Sequence, residues 1–297
     1  MAEEKKDEKK VAEKKRGRVR RLIKKVDKKQ SEHESEKKWD AKKTFFWAIG
    51  VCVWAGVMYF VAQWVVFSVA GWIIDLIQVN NDGYTPNLMM AQSVCTLISD
   101  ILALALIIVL PKVAIKKYKT SRDELGLHGL PTWTDVLLGP IGYILSMIAA
   151  VIVVLAMSAI SPSIDWNQAQ NVGYNGLYFA ADKAAAFLVL VVLTPIVEEL
   201  VFRGWVYGKL RGRMSAVPAI ILVSLLFAIM HGQINVGVIV FVMSVFMCIA
   251  RELTGTIYAG IIIHMLRNGV AFYLLYITPF GGGASSAMLP ALMAFLV

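Results

Sequence analysis

Seven ionisable residues stand within or at the ends of long apolar blocks of this chain: Asp100, Glu198, Glu199, Arg203, His231, His264 and Arg267. An ionisable group inside a bilayer is costly and marks function, with a partner nearby. Glu199 and Arg203 are four residues apart, hence neighbours on one helical face and able to pair. Phe227 and His231 have the same spacing, and so do His264 and Asn268, which therefore point the same way. One helix offers carboxylates; two others offer imidazoles and an amide.

Such a set is suited to hydrolysis. A carboxylate withdrawn from water is a stronger base toward a water molecule, and an imidazole can share or pass the proton. His264 and Asn268 can supply donors to a developing oxyanion. Glu198, His231 and His264 are equally competent ligands for a divalent metal such as Zn²⁺ with a position open for water. The chain contains no HExxH helix, so a metal site would have to be assembled across three helices. Each residue also has a plainer role. A single histidine in a membrane helix serves more often as a polar helix contact, Glu199 with Arg203 can be a structural ion pair, Asp100 has no identifiable partner, and Arg267 points off the face shared by His264 and Asn268.

The elements that must position these groups follow from composition. The chain has 297 residues, 58% of them hydrophobic, with a mean hydropathy of +0.63, and its apolar residues come in long blocks that only a polytopic membrane protein accommodates. A helix crosses the hydrocarbon core with about 20 residues at about 1.5 Å each. Spans are expected within 44–74 and near 87–110, 136–160, 184–208 and 256–277. Residues 214–250 contain no Asp, Glu, Lys or Arg. As one helix they would be about 55 Å long, nearly twice the core thickness, so they form two helices turning at His231 to Asn235. The fold class is therefore all-α, a polytopic bundle of about seven transmembrane helices. The last apolar stretch, 288–297, is too short to span and reads as interfacial or re-entrant.

Charge gives orientation. Residues 1–43 hold 18 Lys and Arg against 10 Asp and Glu. This tail, too long and too acidic for a signal peptide, is expected to be a disordered cytosolic arm attracted to anionic lipid headgroups, with no nucleic-acid partner. Basic residues also follow the second, fourth and sixth spans, whereas the alternate loops VNNDGYTPN and SPSIDWNQAQNVGYNG carry none. The chain is thus expected in the cell membrane, multi-pass, with a cytoplasmic N-terminus. Its organisation reads as the tail 1–43, two spans and a basic connector at 44–130, and the remaining spans at 131–297 around a core at 183–278. Cys52, Cys95 and Cys248 lie in apolar blocks without metal-ligand spacing and read as small buried hydrophobes.

Depth brings the groups together. Glu198 lies 11 residues before Lys209, His264 13 after Arg251, and His231 13 after Pro218, which places all three at about 16–20 Å from the basic ends. Pro218 suits the first turn of its helix, with Ser215 as N-cap.

EELVFR (198–203 in numbering), FAIMH (227–231) and HMLRN (264–268) resemble, in order and spacing, the EExxxR, FxxxH and HxxxN motifs of the CPBP intramembrane proteases. That family includes CAAX prenyl endopeptidases of the Rce1 type and bacterial Abi proteins. DELGL, at 123–127, is also typical of them. The resemblance implies a helical bundle with an intramembrane cavity open toward the cytosol. It implies that Glu198 activates water, His231 assists, His264 and Asn268 stabilise the oxyanion, and Glu199 with Arg203 hold the site together. The implied substrate is a membrane protein or lipidated peptide. Both metal-dependent and metal-free mechanisms are argued for such proteins. Two other classes use the same residues: a proton-coupled transporter with Glu198, His231 and Asp100 as relay, against which the lack of an evident inverted repeat argues, and a non-catalytic scaffold or immunity protein.

Overall fold

A computed structural model describes residues 40–80, 86–114, 120–166, 168, 170, 172–174 and 177–277. Most of the charged tail, part of the basic connector and the segment 288–297 lie outside the described residues. Residue contacts divide the chain into Met1–Phe46 and Trp47–Val297. Every functional residue considered below belongs to the second unit.

The described residues form helices joined by turns, and six of the helices are long and apolar enough to cross a membrane. In chain order they are α1 (Ala41–Asn80), α2 (Leu88–Ala114), the short α3 (Arg122–Leu125), α4 (Trp133–Ile160), α5 (Ala180–Arg211), α6 (Ala216–Met230), α7 (Ile234–Thr254) and α8 (Tyr258–Ile277). The chain is a multi-pass membrane protein. Large apolar side chains such as Trp64, Trp72 and Ile152 are exposed on the helix surfaces, as lipid-facing positions require.

Of the seven expected spans the fifth, the first of the two helices expected within 214–250, is α6, which has only 15 residues. At about 22 Å it falls short of the roughly 30 Å core. Its end has a local cause: Gly232 takes a left-handed conformation, φ +70°, which stops the helix at His231. Ser215 stands at its N-cap, although its side chain makes no capping bond.

α5 is the central element. From Val201 to Tyr207 every residue is buried, the pattern of a helix surrounded by others. α6 packs on α7, and α7 and α8 both pack on α4. α1 presents the stripe Val51, Ala55, Tyr59 and Ala62 to the core, at the three- and four-residue spacing of one helical face. The DELGL stretch is a clip. Ser121 caps α3 and Gly126 ends it in the left-handed conformation. Arg251 of α7 then donates to the carbonyls of Asp123, Glu124 and Gly255, while Lys209 of α5 pairs with Glu124 at 2.8 Å. Arg211 and Glu252 join the same ends of α5 and α7 at 2.8 Å.

Candidate active site

α5 is not a regular α-helix. Residues Leu188–Leu193 and Leu200–Val206 are wound as π-helix on either side of the two glutamates. In the first of these turns the Thr194 N–H donates to the Val189 carbonyl, five residues back. Pro195 has no N–H, so the donor that would continue this register to Leu190 is missing. Asn268 of α8 supplies it, with Nδ2 donating to the Leu190 carbonyl at 2.9 Å. One amide hydrogen of Asn268 is thereby fixed and the other remains.

Glu198 faces the cavity side of α5 with its side chain 15% accessible. Its Oε1 accepts from the Tyr59 hydroxyl at 3.0 Å, and the same hydroxyl lies 3.3 Å from Asp100 Oδ1. Thr194, one turn before Glu198, donates to Asp100 Oδ2 at 2.6 Å. Asp100 therefore has two partners, Tyr59 and Thr194, contrary to the sequence expectation that it has none. Neither could be recognised without knowing how α1 and α2 are rotated.

Glu199 points the other way, into protein, and is fully buried together with Arg203. Its Oε1 accepts from Arg203 Nη1 at 2.6 Å and lies 3.2 Å from His264 Nδ1. A buried pair of this kind keeps each charge from standing uncompensated. Gly260 makes the approach possible: a Cβ there would lie 2.7 Å from Glu199 Oε2. Because a carboxylate accepts, His264 Nδ1 carries the hydrogen of that contact. Its Nε2 is then turned to Glu198, at 3.6 Å from Oε2, too long for a direct hydrogen bond and suited to a bridging water.

Phe227 organises both histidines. Its buried ring makes edge contacts with those of His231 and His264, centroids 4.8 and 5.7 Å apart, and the Arg203 guanidinium carbon lies 4.4 Å from its centre. The Phe227 carbonyl accepts from His231 Nδ1 at 2.8 Å. A carbonyl cannot donate, so Nδ1 holds the hydrogen and Nε2 is the basic nitrogen.

The structure brings Glu198, His231, His264 and Asn268 to one cavity of about 130 Å³. Glu199 and Arg203 stand behind it. Arg267 lines it too and donates to Asn268 Oδ1 at 3.3 Å, which corrects the expectation that it turns away. A second cavity of about 330 Å³ shares Glu198, Thr194 and His231 and extends past Tyr59 and Asp100 to Gln63 and Gln92. Both are lined by Gln170 and Val172 of the α4–α5 loop. Along α5 the smaller is lined by Leu190, Thr194 and Glu198, and the larger by these and by Phe202, one turn nearer the basic end. Among the described residues no group of three or more His, Cys, Asp or Glu side chains is arranged to hold a metal ion.

Residues 180–270 match the family model of the type II CAAX prenyl endopeptidase Rce1-like proteins. The match contains EELVFR, FAIMH and HMLRN, the segments that build the cavity. A protein described as membrane-embedded CAAX protease MroQ, from Staphylococcus aureus, is 33% identical over 108 residues, 33% of this chain and 44% of that protein. The chain thus spans less than half the length of this curated relative. No solved structure matches it.

Proposed function

We propose that the protein is an intramembrane endopeptidase in which Glu198 activates water. The observation that carries this reading is the gap between Glu198 Oε2 and His264 Nε2, 3.6 Å wide, at the wall of a cavity that His231 and Asn268 also line. A water held there can give its proton to Glu198 as its oxygen attacks the scissile carbonyl carbon. The oxyanion receives a hydrogen bond from the remaining Asn268 amide hydrogen and, when His264 carries a proton on Nε2 as well as on Nδ1, a second from that imidazolium, whose charge Glu199 faces. Glu198 then returns the proton to the departing amine, which completes cleavage. His231, with Nε2 basic, assists the transfer. Glu199 and Arg203 are positioning residues that hold His264. These steps are written without a metal, no group of three or more His, Cys, Asp or Glu side chains being arranged for one among the described residues; were Zn²⁺ used, Glu198, His231 and His264 would hold it and activity would be sensitive to chelation.

The substrate is a membrane-associated protein or peptide, CAAX-type prenylation being one form it can take, and the distribution of basic residues supports a cytoplasmic N-terminus. Quantitative terminomics on membranes of cells expressing wild type or Glu198→Gln at matched levels tests the reading. New peptide ends that depend on Glu198 are expected, and they name the substrate; identical sets of ends from both proteins would overturn it. A proton carrier is the second reading, because Asp100, Tyr59 and Glu198 form a hydrogen-bonded chain. It requires proton flux in proteoliposomes that Glu198→Gln abolishes, which the protease does not.

A further inference from the structure

We propose that Asp100 is a positioning residue of the active site, which through Tyr59 and Thr194 holds both the base, Glu198, and the oxyanion donor, Asn268, in place. The inference rests on the endopeptidase reading and adds to it a residue that touches neither the attacking water nor the scissile bond.

Asp100 is 2% exposed, and a buried carboxyl group needs donors on its oxygens. Both of its partners reach it from other helices. Thr194 Oγ1 of α5 donates to Oδ2 at 2.6 Å, and the Tyr59 hydroxyl of α1 lies 3.3 Å from Oδ1. That hydroxyl has a single hydrogen and stands nearer to Glu198 Oε1, at 3.0 Å. Asp100 thus fixes where the hydroxyl sits, between α2 and α5, while Glu198 takes the larger share of its hydrogen.

The Thr194 contact has a second consequence. A threonine inside a helix can turn its hydroxyl back onto the carbonyl four residues earlier. Thr96 does so, to the Gln92 carbonyl at 2.9 Å, and Thr254 does so, to the Ala250 carbonyl at 3.0 Å. For Thr194 the corresponding carbonyl is that of Leu190, which Pro195 leaves without a backbone donor and which accepts from Asn268 Nδ2 at 2.9 Å. The Thr194 hydroxyl is instead drawn across to Asp100. Without Asp100 it would compete with Asn268 for the Leu190 carbonyl, on the wall of the cavity that Leu190, Thr194 and Asn268 all line.

What Asp100 supplies is therefore hydrogen-bond geometry and not charge. An amide in its place does the same: its oxygen accepts from Thr194, and its NH₂ donates to the Tyr59 oxygen, which leaves the Tyr59 hydrogen wholly to Glu198. A leucine does neither.

Variants at matched expression test this by the rate at which Glu198-dependent peptide ends form in membranes, with kcat and KM then measured on a synthetic peptide spanning the cut. Asp100→Leu is expected to lower kcat by roughly 10- to 100-fold with little change in KM, whereas Asp100→Asn stays within about threefold of wild type. Adding Thr194→Val to Asp100→Leu removes the competing hydroxyl, so the double variant is expected to cleave about threefold or more faster than Asp100→Leu alone. A residue that merely stabilised the bundle would show neither the unchanged KM nor the recovery in the double variant. The proposal is overturned if Asp100→Asn loses as much as Asp100→Leu, since the acid and not its contacts would then be essential, as a proton carrier requires. It is equally overturned if Asp100→Leu cleaves as fast as wild type, or if Thr194→Val slows Asp100→Leu further. Should Asp100→Leu fail to accumulate, Asp100→Ala takes its place in the same comparisons. Failure of the endopeptidase reading shows separately, as identical sets of ends from wild type and Glu198→Gln, and the inference falls with it.

Discussion

Glu198 and Glu199 are adjacent in the chain, yet one is a candidate base and the other a strut, because successive residues of a helix point about 100° apart. Glu198 turns to the cavity, where Tyr59 is its hydrogen-bond donor within the protein. A hydrogen bond to a charged group contributes about 1.5–3 kcal/mol, so Tyr59→Phe is expected to lower kcat by roughly 10- to 100-fold with little change in KM. Steady-state kinetics on the substrate identified by terminomics check this, and an unchanged kcat would remove Tyr59 from the site. Glu199 is held by Arg203, His264 and the bare backbone of Gly260. Gly260→Ala puts a methyl carbon within 2.7 Å of Glu199 Oε2, where neither partner is the loose end of a solvated side chain. Loss of activity is expected from Gly260→Ala, whereas Gly50→Ala, with nothing within 4 Å of its Cβ, leaves it intact.

At the scale of elements, Pro195 is the unusual part of α5. It sits between a π-helical turn and the glutamates, and its missing N–H leaves the Leu190 carbonyl to Asn268. Pro195→Ala supplies a backbone donor that competes for that carbonyl. Asn268 is then released, so activity is expected to fall while the thermal midpoint holds or rises, since removing proline from a helix interior favours the helix. Parallel measurement of cleavage and thermal unfolding in detergent distinguishes this from general destabilisation, which would lower both. The sequence showed where the helices run and that Glu198, His231 and His264 share a depth, because apolar length and helix rise are local quantities. It did not show Tyr59, Asp100 and Thr194 as one network, nor Gly260 beneath Glu199. Those contacts depend on how each helix is rotated against its neighbours, and one sequence leaves that rotation open. Pro195 was visible three residues before Glu198 and is the signal that could have announced an irregular α5. Arg267 was misplaced for a related reason: a residue flanking a helical face still reaches the cavity when its side chain is long.

For the whole molecule, the basic ends of α5 and α7 are bound by the Glu124–Lys209 and Arg211–Glu252 pairs and by Arg251 on the α3 carbonyls. α6 adds a condition set by the solvent. Its 15 residues reach only about 22 Å into a core of about 30 Å, so the polar turn at Gly232 and Gln233 ends inside the lipid unless the bilayer thins around it. Hydrophobic mismatch of this kind costs fractions of a kcal/mol per Å. Reconstituted into vesicles of graded acyl-chain length, the protein is expected to lose the proposed activity steadily as the membrane thickens. Lipid thickness would thus act on His231 as a mechanical variable, and the bilayer in which the protein resides would set how fast it turns over.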